Sequence, residues 1–249
     1  MVKIALDAGH GLYTPGKRSP DDEREWSFNS KVLIACQAEL QKYEGVEILR
    51  LDDPTGKTDV PLRTRTNKAN NWKADALVSI HHNANTAKWG SWGGVETYVY
   101  PGASKASKQL AANINPRIVR AMELRDRGVK SLNLHMVRES NMPAILTEGG
   151  FMDSTTDIDA LRDDSKLRAQ GAAIAQGLVS HFGLKLKAGK EVAAVSKPKQ
   201  PTNTPSPSHK TGWDWAKEKG YMNGERPKEN MTREQFASVI MKVVTDLRK

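Results

Sequence analysis

Four ionisable residues stand where short apolar runs stop. His10 follows Val2-Lys3-Ile4-Ala5-Leu6 in the small-residue turn Ala8-Gly9-His10-Gly11, and the pair His81-His82 ends the run Ala76-Leu77-Val78-Ser79-Ile80. Glu148 ends Ala144-Ile145-Leu146-Thr147 and is followed by Gly149-Gly150, while Glu25 opens a stretch of helical periodicity. Two histidines and one carboxylate are a common ligand set for a catalytic zinc that keeps one position open for water. An ion so bound brings the pKa of its water toward ~7 and polarises a carbonyl oxygen. A second carboxylate, free of the metal, can take the water's proton and deliver it to a leaving amine. Glu148 suits that task because the two glycines leave room beside it. The reaction class implied is metal-assisted hydrolysis of an amide. Each residue also has an ordinary reading: a histidine in a glycine-rich turn is commonly a surface residue, and the helix dipole favours a glutamate in a first turn. Adjacent side chains of a strand point to opposite faces, so only one of His81 and His82 reaches a given site. The pattern favours His81 without deciding it. There is no His-Glu-x-x-His and no cysteine pair to mark a local zinc motif.

The elements that must position these residues follow from periodicity. Strands are expected at the N-terminus, over 46–51, 76–84, 95–100 and 144–151, with a further short one over 134–137. Helical spacing covers 23–43 (Trp26, Leu33, Cys36, Leu40), 61–72, 104–124, 157–161 and 167–182, with Pro116 inside the third and Gly183 as a stop after the last. Strands alternating with helices predict an α/β fold: a twisted mixed or mostly parallel sheet of about six strands with helices on both faces. In such sheets ligands gather beyond the carboxyl ends of the strands. His10, His81 and Glu148 all fall at those ends, so residues far apart in sequence converge on one edge.

The chain of 249 residues carries a net charge of +9, unevenly spread. Residues 185–210 hold six lysines against Glu191, residues 211–249 are nearly balanced, and so are residues 1–184. This basic tether would attract a polyanion or merely keep a linker soluble. It carries no nucleic-acid-binding motif, and no nucleic-acid partner is expected. One cysteine, Cys36, excludes an intramolecular disulfide. No run of 18 apolar residues is present, so no membrane span is expected, and the N-terminus lacks the pattern of a signal peptide. Synthesis in the cytoplasm is therefore the expectation.

Six blocks of residues carry a resemblance. Leu6-Asp7-Ala8-Gly9-His10-Gly11, Glu25-x-x-x-Asn29, Leu62-x-x-Arg65-x-x-x-Ala69-Asn70, Ser79-Ile80-His81-x-Asn83-Ala84, Arg127-Gly128-Val129-Lys130 and Pro143-Ala144-x-Leu146-x-Glu148-Gly149-Gly150-Phe151 occur in that order. Together they resemble the zinc-dependent N-acetylmuramoyl-L-alanine amidases of the type 3 family, over about residues 1–183. The resemblance implies that His10, Glu25 and His81 bind Zn2+ and that Glu148 is the catalytic carboxylate. It implies cleavage of the bond between the lactyl group of muramic acid and L-alanine in peptidoglycan. Asn83 either orients a ligand or forms a turn, and Arg65 pairs with substrate or with buried carboxylates. Trp92, with Trp89, either stacks on substrate or packs on the sheet.

Three regions are expected: a catalytic domain over 1–184, a Pro/Lys-rich linker over 185–210, and a small, mainly helical module over 211–249. In the last, Trp215-Ala216, Gly220-x-x-Asn223-Gly224 and Met231-Thr232-Arg233-Glu234-Gln235-Phe236-Ala237 resemble a single S-layer homology motif. That implies binding to an anionic secondary cell-wall polymer, with a dimerising helix pair, and hence a homodimer, as the alternative. Such a protein would reach the wall when a host or mother cell lyses, as a phage endolysin or an autolysin. Rival readings are a zinc peptidase cutting within the stem peptide and a non-catalytic wall-binding protein.

Overall fold

The structure, a computed structural model, describes residues 1–187. The expectations for the linker beyond residue 187 and for the module over 211–249 lie outside the described residues. Six strands form one sheet: β1 (Val2–Ala8), β2 (Val46–Arg50), β3 (Ala76–Asn83), β4 (Val95–Val99), β5 (Asp126–Ser131) and β6 (Ala144–Phe151), in the order β2-β1-β3-β6-β4-β5. All neighbours run parallel except β4 and β6. The helices are α1 (Glu25–Leu40), α2 (Leu62–Asn71), α3 (Lys105–Met122), α4 (His135–Arg138), α5 (Ile158–Arg162) and α6 (Asp164–Phe182). This is the expected mixed α/β sheet with helices on both faces.

Alternation along the strands assigns the faces. Ile4, Leu6 and Ala8 of β1, Ala76, Val78 and Ile80 of β3 and Ile145 of β6 join the apolar residues of α1, α3, α5 and α6 in the larger core. Ala5, Leu77, Ala144 and Leu146 point the other way, to a smaller core with Ala69 of α2 and Met136 and Val137 of α4. On the larger side α6 lies close against its neighbours because it has no side chain where they meet. A Cβ on Gly171 would stand 2.3 Å from the Val32 carbonyl of α1, and one on Gly177 would meet Ile114 of α3 at 2.3 Å.

Two expectations are corrected. Residues 134–137 are not a strand; they lead into the single turn α4, which buries the adjacent Met136 and Val137 on one side, whereas a strand would send them to opposite faces. The sixth strand is β5, an edge strand whose sequence Asp-Arg-Gly-Val-Lys-Ser has almost no apolar content, and whose Val129 is exposed. Pro116 is accommodated inside α3 at the loss of one backbone hydrogen bond. After Gly183 ends α6 in the left-handed conformation, residues 185–187 return to pair with the 42–44 turn, through Glu44 N–H to the Lys185 carbonyl and Lys187 N–H to the Lys42 carbonyl.

Candidate active site

The side chains on the smaller-core face turn from apolar to mostly polar and charged toward the carboxyl ends of β1, β3 and β6. Register places them in two rows across the sheet. Asp7, Ser79, Leu146 and Tyr98 lie side by side in one row, and His81, Glu148 and Glu96 in the next. The second row is flanked by the turn after β1, which supplies His10, and by the first residue of α1, Glu25.

His10, Glu25 and His81 each offer one ligand atom, all within 4.8 Å of one another. His10 Nε2 lies 3.3 Å from Glu25 Oε2, and His81 Nδ1 lies 3.0 Å from Glu25 Oε1. The two imidazoles meet edge to face. The local backbone is specialised to bring them there. His10 has φ +66°, in the left-handed region rarely used by non-glycine residues. Beside it, a Cβ on Gly9 would fall 2.0 Å from the His81 ring, so the imidazole packs directly on bare backbone. Glu25 is fully withdrawn from solvent and receives the Asn29 amide and the His82 backbone N–H on Oε1, both at 3.3 Å.

Electrostatics separate the carboxylates. Burial alone would raise the Glu25 pKa, but its hydrogen bond with His81 and the charges of His81 and His10 outweigh burial and hold it at about 2. Burial pulls His10 down to about 4, against the attraction of Glu25. His81 is raised: burial opposes its charge, yet the hydrogen bond and charge of Glu25 prevail. Glu148 is the opposite of Glu25. Burial, and then repulsion from Glu25 and Glu96 against the pull of His81, push it up to about 8. Its Oε2 is buried and has no hydrogen-bond partner, so no hydrogen bond stabilises a charge on that oxygen. Glu96, across the strand from Glu148, is saturated instead: Asn83, Tyr98, Arg127 and Lys130 all donate to it.

The remaining expected residues have definite places. Arg65 is completely buried and pairs with Asp7 at 2.7 Å, which is the structural alternative for it. Asn83 donates to Glu96 at 2.8 Å and accepts the Ala84 N–H, so its side chain is hydrogen-bonded to none of the three clustered residues. Trp92 packs over Gly90, and its indole N–H donates to Asp153 Oδ1 at 2.8 Å. Asp153 Oδ2 collects three successive backbone N–H groups, from Asn85 to Ala87, and so fixes the loop that carries both tryptophans. His82 points away from the cluster, with Nδ1 2.8 Å from Asn29 Oδ1 and Nε2 3.1 Å from Gln170 Oε1. Sequence reasoning missed Glu96, Asp7 and Ser79. The available signal was their polarity inside otherwise apolar strands, at the alternation that faces the site.

The donor set fits a divalent cation. Two imidazole nitrogens converge on the two oxygens of one ionised carboxylate, and lone pairs facing each other across 3.0 Å require a cation between them, a proton or a metal ion. With a neighbouring carboxyl held near neutral pH, this defines a metal-assisted hydrolase on an α/β sheet. Comparison with known proteins narrows the class. The model of the N-acetylmuramoyl-L-alanine amidase family matches residues 4–180, and the chain belongs to that family. It is 37% identical over 186 residues to a sporulation-specific N-acetylmuramoyl-L-alanine amidase of Bacillus subtilis, covering 74% of this chain and 70% of the relative. It is 32% identical over 197 residues to an endolysin of Bacillus phage SPP1, covering 76% and 69%. The structure of an N-acetylmuramoyl-L-alanine amidase from Clostridium difficile 630 superposes with a TM-score of 0.68 at 31% identity, over 76% of this chain and 98% of that one.

Proposed function

We infer that this protein hydrolyses the amide bond between N-acetylmuramic acid and L-alanine in bacterial peptidoglycan, as a metal-dependent amidase in which His10, Glu25 and His81 hold Zn2+. The observation that carries the reading is the pairing of the convergent His10/Glu25/His81 set with a separate carboxyl, Glu148, one strand away and without a partner of its own. Zinc, when bound, supplies a Lewis acid that polarises the scissile carbonyl and acidifies water. The chain's own residues do the rest. Glu148 takes the proton of the attacking water on its carboxylate and returns it to the departing amide nitrogen of L-alanine. Burial and the neighbouring carboxylates raise its pKa, and a cation held by His10, Glu25 and His81 would draw it back toward the ionised form that accepts the water's proton. Glu96, fixed by Arg127 and Lys130, keeps a second negative charge beside Glu148 that strengthens its affinity for the proton it takes.

Around that core the reading extends to the whole chain. The catalytic domain over 1–184 is joined by the basic linker over 185–210 to a module over 211–249, which binds an anionic secondary wall polymer or pairs with a second copy. No helix among the described residues is long and apolar enough to cross a membrane. The enzyme reaches its substrate after lysis of a host or mother cell. The test is digestion of purified peptidoglycan with zinc-loaded wild type and Glu148→Ala, followed by mass spectrometry. Stem peptides beginning with a free L-alanine amine, absent from the variant digest, are the expected products. Fragments cut within the stem would make the protein a peptidase, and intact wall from several species would leave it a binding protein.

A further inference from the structure

We propose that Ser79 and Asp7, anchored by Arg65, are positioning residues that fix the tautomer and orientation of His81, so that its Nδ1 is the nitrogen offered to the metal. The proposal rests on the metal-dependent reading above and deepens it.

Asp7 and Ser79 are paired in register on β1 and β3, and both are fully buried on the face that carries His81, two residues further along β3. The Ser79 Oγ lies 2.6 Å from Asp7 Oδ2 and 3.1 Å from His81 Nε2. A serine hydroxyl has one proton, and between an ionised carboxylate and an imidazole nitrogen it goes to the carboxylate. Its lone pair is then left to accept from His81, which must carry its proton on Nε2. In a neutral imidazole this leaves Nδ1 unprotonated, and Nδ1 is the atom that faces Glu25 at 3.0 Å. The ring cannot choose another pose cheaply, because it already rests on the backbone of Gly9.

Arg65 sets the charge that drives the chain of bonds. All five of its N–H groups are used: Nε on the Val60 carbonyl, Nη1 on Asp7 Oδ1 and the Ala8 carbonyl, Nη2 on the His10 carbonyl and Asp59 Oδ1. One buried guanidinium thus pairs with the Asp7 carboxylate and grips the backbone of His10. It ties both histidines of the cluster to a single rigid point, His81 through Asp7 and Ser79, and His10 through its own carbonyl. Groups of this kind, beyond the ligands themselves, commonly contribute 10- to 100-fold to metal affinity.

The experiment measures Zn2+ affinity by chelator competition on the full chain, for wild type, Ser79→Ala and Ser79→Thr. Ser79→Ala is expected to bind zinc roughly 10- to 100-fold more weakly, and Ser79→Thr, which keeps the hydroxyl, to recover most of that loss. Equal affinity of wild type and Ser79→Ala would overturn the proposal. Should Ser79→Ala not fold, the wild type alone decides. Long-range 1H–15N correlation on its zinc-loaded form should show His81 protonated at Nε2 and metallated at Nδ1, and the reverse assignment refutes the relay. A wild type that takes up no zinc would instead fail the metal-dependent reading itself, a result distinct from tight binding that ignores Ser79.

Discussion

The two faces of the sheet bury their side chains by opposite means. On the α1/α3/α6 face the strands contribute aliphatic residues, and α6 approaches its neighbours through Gly171 and Gly177, so stability comes from dry, close contact. On the other face, where the carboxyl ends of β1, β3 and β6 meet the amino end of the antiparallel β4, the sheet buries Asp7, Glu96 and His81 with Glu148 beside them, and each charge is assigned to named partners except one. Buried ion pairs contribute little net stability, so the second face is not there to strengthen the fold. The comparison teaches where the chain invests in stability and where in chemistry. It also isolates Glu148 as the one carboxyl among the described residues with an unsatisfied buried oxygen.

The largest effect should come from that group. Glu148→Gln keeps the shape and removes the titrating proton, so kcat on peptidoglycan should drop by about 10^2 to 10^4 while the melting temperature holds or rises. A variant within tenfold of wild type would move proton transfer elsewhere. The next effect is on stability in the protein stripped of metal by a chelator. The folded-state pKa of Glu148 is raised from 4.5 to about 8, so its neutral form is the one the fold tolerates. Its contribution is therefore fully present below pH ~4.5 and is lost as pH rises to about 8. Urea unfolding of wild type and Glu148→Gln at pH 5 and pH 8 should show wild type losing ground to the variant by more than ~1 kcal/mol across that interval. Parallel pH curves would mean that Glu148 is already ionised.

Much of the site could be read from residue order because it obeys a topological rule. His10, His81 and Glu148 each end an apolar run, and strands that are parallel in one sheet present their ends together. Glu25 joined them through the six-block resemblance, since an acidic residue in a first helical turn is otherwise unremarked. What could not be read was side-chain pairing across strands. Asp7 and Ser79 become neighbours only through the β1/β3 register, and Glu96 meets Glu148 only because β4 runs antiparallel to β6. Neither register nor strand direction is encoded locally. The strand at Asp126–Ser131 escaped for a related reason: an edge strand needs little apolar content, and its pairing to β4 is supplied by tertiary context.

Two glycines on opposite faces sharpen the comparison at its finest scale. Gly171→Ala would drive a methyl group into the Val32 carbonyl and the Cys36 amide, both rigid backbone of α1, and α6 must shift to admit it. Such overpacking should cost about 1–3 kcal/mol of unfolding free energy, read by denaturant titration, with zinc affinity unchanged. Gly9→Ala would press a methyl group onto the His81 ring, which can move only by giving up its bonds to Ser79 and Glu25, a strain borne by one side chain rather than by a whole helix, so the fold should survive with a smaller loss of stability. What it gives up is the direction of Nδ1, and zinc affinity should fall by roughly tenfold or more. If Gly9→Ala instead destabilised the fold and left zinc binding intact, the turn before His10 would be a packing device like the α1/α6 contact. The division between a face built for stability and a face built for chemistry would then be wrong at the residue where the two are most easily told apart.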